Sequence, residues 1–302
     1  MFSSKIIEPP PHKHFNGWVS IIESLSKVFT RKDFVLHPFL DRDTLFFFDN
    51  LKVLKGKPWV GIIHFPTHGA PLLHPEVNSI NVVKKINSSE YKDRCNGLIV
   101  LTNKAKETLS KFTDIPIYRL WHPKFVGKNS FNIKLYFNNP IIRHPGKAYR
   151  DFCPYFKFPT KLKKEIHIQP QNKWLIDQTL ELSGACTDDS IVINTTFLKD
   201  KQYIKNLITS IGFGYWFDCE ASNSILEHLM TGTPIIANKL PSIIEYLGKD
   251  YPMYYENIIS DPDSYILNKK FIQDTSKYLR SRSKKKRFTV KYFCDSINNL
   301  DF

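Results

Sequence analysis

The sequence predicts an α/β protein built from two domains, each a parallel sheet flanked by helices. Three observations carry this expectation. Short apolar runs that end in Ser, Thr or small polar residues are followed by helix-patterned segments, and this strand, cap, helix rhythm recurs in both halves of the chain. At 302 residues the chain has room for two domains of ordinary size and a large core. Its 42% hydrophobic and 24% charged residues mark a globular protein, and it contains no apolar run of about 18 residues that would span a membrane.

The elements follow in order. His12 to Trp18 reads HKHFNGW and leads into helical spacing from Val19 to Phe29. Gly17 there either lets backbone approach a ligand or simply starts the helix. Phe34 to Leu36 and Leu45 to Phe48 are candidate strands, with Asp41 and Asp43 in a loop between them. Pro58 to Pro66 reads PWVGIIHFP and places His64 where a strand leaves its sheet, the end at which open α/β sheets bind ligands. A histidine donating to backbone at a strand end is the rival reading. His68 follows in a loop with Gly69, Pro71 and His74, and Pro66 precludes a helix that would set both histidines on one metal. Gly97 to Leu101 is a strand, Thr102 caps a helix from Lys104 to Phe112, and Ile115 to Leu120 is a strand ending in Trp121-His122-Pro123.

Lys124 to Lys134 is polar and reads as a linker. Ile141-Ile142 then leads into the basic loop Arg143-His144-Pro145-Gly146-Lys147 and Arg150. Further strands are expected at Ile166 to Ile168 and Ile191 to Ile193, and helices at Leu175 to Leu182 and Tyr203 to Leu207. Beyond Pro262 the chain reads as helical to Leu279, with Asp261 and Asp263 assigned to a loop. Arg280 to Arg287 reads RSRSKKKR, and Phe288, Val290, Phe293 and Ile297 follow at helical spacing. The domains are therefore set at 1–126 and 135–279, with a terminal helix at 280–302.

Composition limits the function classes. The formal net charge of +14 implies an anionic partner: a nucleotide sugar, a lipid headgroup or nucleic acid. No nucleic-acid-binding module is recognisable, and the aromatics pattern as core rather than as a basic stripe. Five scattered cysteines without a Cys-x-x-Cys point to free thiols in a reducing compartment and to no zinc site. The N-terminus lacks an apolar core of signal-peptide length, so a cytoplasmic protein is expected. The run RSRSKKKR is either a solvated helix segment or a contact with anionic membrane, which would make the protein peripheral to that surface.

The most informative stretch runs from Ile211 to Leu247. Tyr215 to Phe217 reads as a buried strand, followed by Asp218 and small polar residues. Ser222 or Asn223 can cap a helix whose apolar face is Ile225, Leu226, Leu229 and Met230. Gly232 ends it, Thr233-Pro234 forbids continuation, Ile235 to Ala237 is a strand, and Pro241 opens a helix ending at Gly248. An exposed helix N-terminus after a strand suits phosphate. Glu227 lies one turn above Asn223 on the same side, where a carboxylate can accept two ribose hydroxyls or can simply be solvated.

Glu227 through Ile236, with Gly232-Thr233-Pro234, resembles the donor-site helix of GT-B glycosyltransferases, whose pattern is Leu-Glu, four residues, Gly-Thr-Pro and two aliphatics. Asp218 to Tyr251, with Asn223, Pro241, Glu245-Tyr246-Leu247-Gly248 and Asp250-Tyr251-Pro252, is similar to the family 1/4-like C-terminal donor domains of such enzymes. His64 and the terminal His122-Pro123 fit the same resemblance. It implies two Rossmann-like domains facing a cleft, with a C-terminal helix crossing back to the first. It further implies a hexosyltransferase-like enzyme moving sugar from a nucleotide sugar such as a UDP-sugar to a glycan or glycolipid, with no metal and no cofactor beyond that substrate.

By the same resemblance Glu227 binds ribose, and Ser222, Asn223 and Ser224 hold the phosphates, with Asp218 and Glu220 beside them. Arg143 and Lys147 clamp the diphosphate, His64 is the catalytic candidate, and Gly17 and His68 lie on the acceptor side. One position departs from the pattern. Where the large retaining group carries a second glutamate that holds the donor sugar, this chain has Cys219 between Asp218 and Glu220. That departure keeps a nucleotide-binding protein without transfer activity as the alternative, with a basic nucleic-acid-binding protein behind it.

Overall fold

The computed structural model describes residues 22–23, 25, 34–71, 75–123, 129–146, 149–184, 190–196, 198–220 and 222–301. The chain divides into two compact units. The first comprises residues 1–125, 218–221 and 285–302, and the second comprises 126–217 and 222–284. The short segment Asp218–Ala221 thus belongs to the first unit although its sequence neighbours belong to the second.

The first unit is a four-stranded parallel sheet in the order β1 (Val35–His37), β2 (Trp59–Ile62), β3 (Cys95–Val100), β4 (Ile117–Arg119). The inner strands bury both faces, and alternation divides their residues between two cores. Trp59, Leu98 and Val100 pack with Val82, Val83 and Ile86 of the helix Ser79–Asn87. Val60, Ile62, Ile99 and Leu101 pack on the other side with Phe293, Cys294 and Ile297. Those last three lie on the C-terminal helix Val290–Asn298, so its apolar face covers the sheet of the N-terminal half. Helix starts follow the capping rule: Asn78 accepts from the Asn81 amide and Thr102 from the Ala105 amide.

The second unit is a five-stranded parallel sheet of β5 (Ile141–His144), β6 (Lys163–His167), β7 (Ile191–Asn194), β8 (Ile211–Gly214) and β9 (Ile235–Ala237). Its spatial order is β7-β6-β5-β8-β9. Counted within the unit this is 3-2-1-4-5, so the direction of winding reverses between β5 and β8. In open sheets that reversal opens a crevice at the carboxyl ends of the strands, where ligands bind. The helix Asn223–Thr231 follows β8 and packs close to it. A Cβ on Gly212 of β8 would stand 2.2 Å from His228 Nε2, so only glycine admits the helix there. Gly232 ends the helix in the left-handed region at φ 67°, as its sequence signal requires.

Several local expectations are corrected. Leu45 to Phe48 is not a strand: the helix Leu40–Phe46 passes into a 3₁₀ helix at Phe48–Leu54. A short apolar run does not distinguish the two, and here Leu40, Leu51 and Leu54 all turn into one core. Asp41 and Asp43 lie on that helix rather than in a loop, and Asp263 likewise lies on the short helix Pro262–Ile266. The strand expected at Tyr215 to Phe217 ends earlier, at Gly214. Trp216 instead forms an isolated antiparallel bridge with Arg150, and its side chain is buried with the Arg150 guanidinium over the ring. Among the described residues no helix is long and apolar enough to cross a membrane.

Candidate functional site

At the reversal between β5 and β8 the chain gathers Arg150, Tyr203, Ser224 and Glu227. The loop leaving β5 turns at Tyr149, a non-glycine residue at φ 57°, and this backbone strain aims the next residue inward. Arg150 is 6% exposed, lies over the Trp216 ring at 5.0 Å and donates from Nη2 to Ser224 Oγ at 2.7 Å. Ser224 in turn donates to the Pro145 carbonyl at 3.3 Å, which ties the loop to the start of the helix. Ser222 is the N-cap, but its side chain makes no capping bond. The first-turn amides therefore keep the partial positive charge that suits an anion.

Glu227 is 5% exposed, one turn into the helix. The Tyr203 hydroxyl donates to its Oε2, and no hydrogen bond from a described residue reaches Oε1. Burial raises its carboxyl to about 7, against the lowering pull of the Tyr203 hydroxyl and the Arg150 charge. The same burial and the neighbouring carboxylate push the Tyr203 phenol well above its ordinary value, so it stays a donor. This arrangement offers one carboxylate oxygen, a guanidinium and a helix N-terminus side by side.

The strand ends of the first unit present a different picture. Asp218 accepts from Thr67 Oγ1 at 2.8 Å, from the His68 amide at 2.9 Å and from the Lys104 ammonium. Burial alone would raise its carboxyl, but Lys104, Thr67 and His68 together hold it below its ordinary value. Glu220 accepts from the Leu101 amide at 2.8 Å and from Thr102 Oγ1 at 2.6 Å. Asp41 accepts from the amides of His64, at 2.7 Å, and Phe65, and burial raises it to about 7. Asp43 is buried against Arg42 at 2.7 Å and His37 at 3.3 Å.

His64 lies at the end of β2, half-buried and stacked on Phe39. Its Nε2 is 2.8 Å from the Pro38 carbonyl, so Nε2 carries the proton. Burial pushes its pKa down to about 3, with His122 adding to the effect. This is the strand-end histidine bonded to backbone that the rival reading described. A base is most effective with a pKa near working pH, and His64 stands far below it.

No protein-family model and no curated protein matches this chain. Solved structures do. TarM aligns with 92% of this chain at a TM-score of 0.65 and 13% identity. A UDP-forming α,α-trehalose-phosphate synthase from Burkholderia vietnamiensis aligns with 92% at 0.57 and 10% identity. The pneumococcal O-GlcNAc transferase GtfA, solved with UDP and GlcNAc, aligns with 91% at 0.57 and 12% identity. The fold is GT-B. The chain spans 57% of TarM, 76% of the synthase and 57% of GtfA.

On this GT-B chain the expected site residues divide. Ser222, Asn223, Ser224 and Glu227 share the first turns of one helix at the reversal point. Arg143 does not join them. It lies within β5, its Nε bonded to Glu165 on β6 at 2.8 Å and its Nη1 to the Asn206 carbonyl. The basic residue that does reach the helix is Arg150, seven positions on in the same loop region. Asp218 and Glu220, expected on the donor, instead hold their segment to the first unit, and His68 lies beside Asp218 with its side chain 66% exposed. Gly17 and Lys147 lie outside the described residues. Tyr203 carried no sequence signal, since it meets Glu227 only through folding. Among the described residues no group of three or more His, Cys, Asp or Glu side chains is placed to hold a metal.

Proposed function

We propose that this chain is a glycosyltransferase that moves a sugar from a nucleotide-sugar donor, of which a UDP-sugar is the first candidate, to a glycan acceptor. The observation that carries the reading is Glu227, buried one turn above an N-terminus with no side-chain cap, one oxygen held by Tyr203 and the other without a donor among the described residues. A ribose presents two adjacent hydroxyl donors, which an ionised carboxylate accepts. Below it, the amides of Asn223 and Ser224 meet the diphosphate, with Arg150 beside them. Transfer leaves negative charge on the departing diphosphate, and preorganised donors there stabilise that charge without a metal. The GT-B relatives named above, among them one bound to UDP and GlcNAc, support the same assignment. The first unit would hold the acceptor, a free or lipid-linked glycan. His64, neutral at working pH, would contribute a hydrogen bond there rather than take a proton.

Cys219 favours a second reading. It is 3% exposed and flanked by two engaged acids, so that segment presents no carboxylate to a donor sugar. A protein that binds nucleotide without transferring sugar would have this arrangement. A thermal-shift screen of nucleoside diphosphates and nucleotide sugars tests both. A ligand at about 100 times its Kd stabilises the fold by about 2.7 kcal/mol. Stabilisation by UDP with release of sugar supports the transferase, stabilisation without turnover supports the second reading, and no stabilisation by any nucleotide removes both.

A further inference from the structure

We propose that the face of the first unit carrying Phe46, Phe47 and Phe112 docks on an anionic lipid surface. Phe46 and Phe47 are each 54% exposed and Phe112 is 38% exposed. Beside Phe46 runs a groove of about 420 Å³ lined by Leu45, Phe46 and Val77 together with Lys84, Lys85 and Glu76. The two lysines lie on rings: Lys84 Nζ is 5.6 Å from the Phe112 centroid and Lys85 Nζ 4.5 Å from that of Phe48. The chain thus joins protruding phenylalanines, a groove and ammonium groups on one surface.

The charge pattern selects the partner. Three lysines elsewhere in this unit are neutralised locally, Lys52 by Asp49, Lys55 by Glu90 and Lys92 by Asp114, whereas the exposed Lys111, next to Phe112 in the chain, has no ion pair with a described carboxylate. Lys84 and Lys85 form no ion pair with a described carboxylate, so their charge stays available to an external anion. Phenylalanines seat at the boundary between headgroups and acyl chains, while lysines stretch their stems over apolar surface and present ammonium groups to lipid phosphates. A second copy would bring the same lysines face to face in a chain of net charge +14, which opposes self-association. The basic run at the C-terminus offers less. Its Arg287 is stacked on Trp121 at 3.8 Å, and the exposed Lys284, Lys285 and Lys286 lack an exposed aromatic partner among the described residues.

The test uses the whole chain with vesicles of phosphatidylcholine, with and without phosphatidylglycerol, in a sedimentation assay at low salt. The wild type should bind the anionic vesicles and not the neutral ones. Lys84→Gln with Lys85→Gln should weaken binding about 25-fold, at roughly fivefold for each lysine. Phe46→Ser with Phe47→Ser should weaken it at least as much, and Lys284→Gln, Lys285→Gln and Lys286→Gln together should weaken it less. If the phenylalanine variant fails to fold, the lysine pair decides. Three results overturn the proposal: no binding by the wild type, full binding by a folded lysine-pair variant, or a dimer that the patch variants dissociate. None of these residues belongs to the nucleotide site, so UDP stabilisation of the patch variants should equal that of the wild type. Loss of nucleotide binding would remove the transferase reading and leave this one standing.

Discussion

The buried carboxylates of the two units are used differently. In the first unit Asp218 and Glu220 have both oxygens bonded to amides, hydroxyls or an ammonium within the unit. In the second, Glu227 has one oxygen on Tyr203 and the other without a donor among the described residues. Asp218 is held ionised by its partners, Glu220 has both oxygens bonded, and both hold their segment in place. Glu227 is buried at a cost to the folded state, since its carboxyl is raised to about 7 from an ordinary 4.5. A carboxylate kept buried and half-bonded is what a ligand with two hydroxyl donors would complete. Asp41 of the first unit is likewise buried and raised to about 7, so it is the place of Glu227 above an uncapped helix N-terminus, not its raised carboxyl alone, that makes it the candidate ligand.

The largest expected effect comes from breaking the scaffold side of this comparison. Asp218→Ala removes the carboxylate that Lys104, Thr67 and the His68 amide all bond, and loss of one member of a buried ion pair costs about 3–5 kcal/mol. Urea denaturation at neutral pH measures it. Lys104 is 24% exposed, which places the expected value at the lower end. A loss below about 0.5 kcal/mol would show that the segment is not held by these bonds.

Next comes the site side. Glu227→Gln should weaken UDP binding about 10- to 100-fold, because a hydrogen bond to a charged group contributes about 1.5–3 kcal/mol. A 2′-deoxyribonucleotide should lose much less between wild type and variant, which isolates the ribose contact. Calorimetric titration of both nucleotides checks this. Equal losses for the two would mean damage to the helix, not loss of a ribose ligand. Arg150→Gln should weaken nucleoside diphosphates and leave the nucleoside alone unchanged.

The same substitution should act in the opposite direction on stability. Between 4.5 and about 7 the folded protein holds a proton on Glu227 that the unfolded chain releases, so stability falls as pH rises through that window. Glu227→Gln removes this loss. At pH 8 the variant should be more stable than the wild type by about 1–3 kcal/mol, and near pH 4 the two should be equal. Asp218 gives the reverse sign: its carboxyl is depressed, so its contribution is present above the unfolded value of 3.8 and fades as pH falls through the lower folded value. Denaturation series at pH 8, at pH 4 and below pH 3 would show whether the two acids differ as the geometry requires.

The smallest effect is expected at His64. With its Nε2 bonded to the Pro38 carbonyl and its pKa near 3, His64→Ala should cost about 1 kcal/mol of stability and leave UDP binding unchanged. A turnover loss of about 100-fold or more in a folded variant would restore it as a base.

Much of the second unit was legible in the sequence. The helix over Asn223–Thr231, its stop at Gly232, the strand Ile235–Ala237 and the helix from Pro241 depend on helical spacing and on the φ restrictions of glycine and proline, which act within a few residues. So does the C-terminal helix, whose Phe293 and Ile297 share a face by spacing alone. The placement of Glu227 above the helix N-terminus followed from the same arithmetic. Tertiary structure decided the rest, because it depends on which distant segments meet. Arg143 and Arg150 are both basic residues near one loop. Only the strand register sets Arg143 opposite Glu165, and only the turn at Tyr149 brings Arg150 to Ser224. Tyr203 reaches Glu227 across 24 positions, and Asp218 reaches Lys104 across 114. Sequence spacing fixes the face of an element on which a side chain lies, but the partner it finds there is fixed by packing.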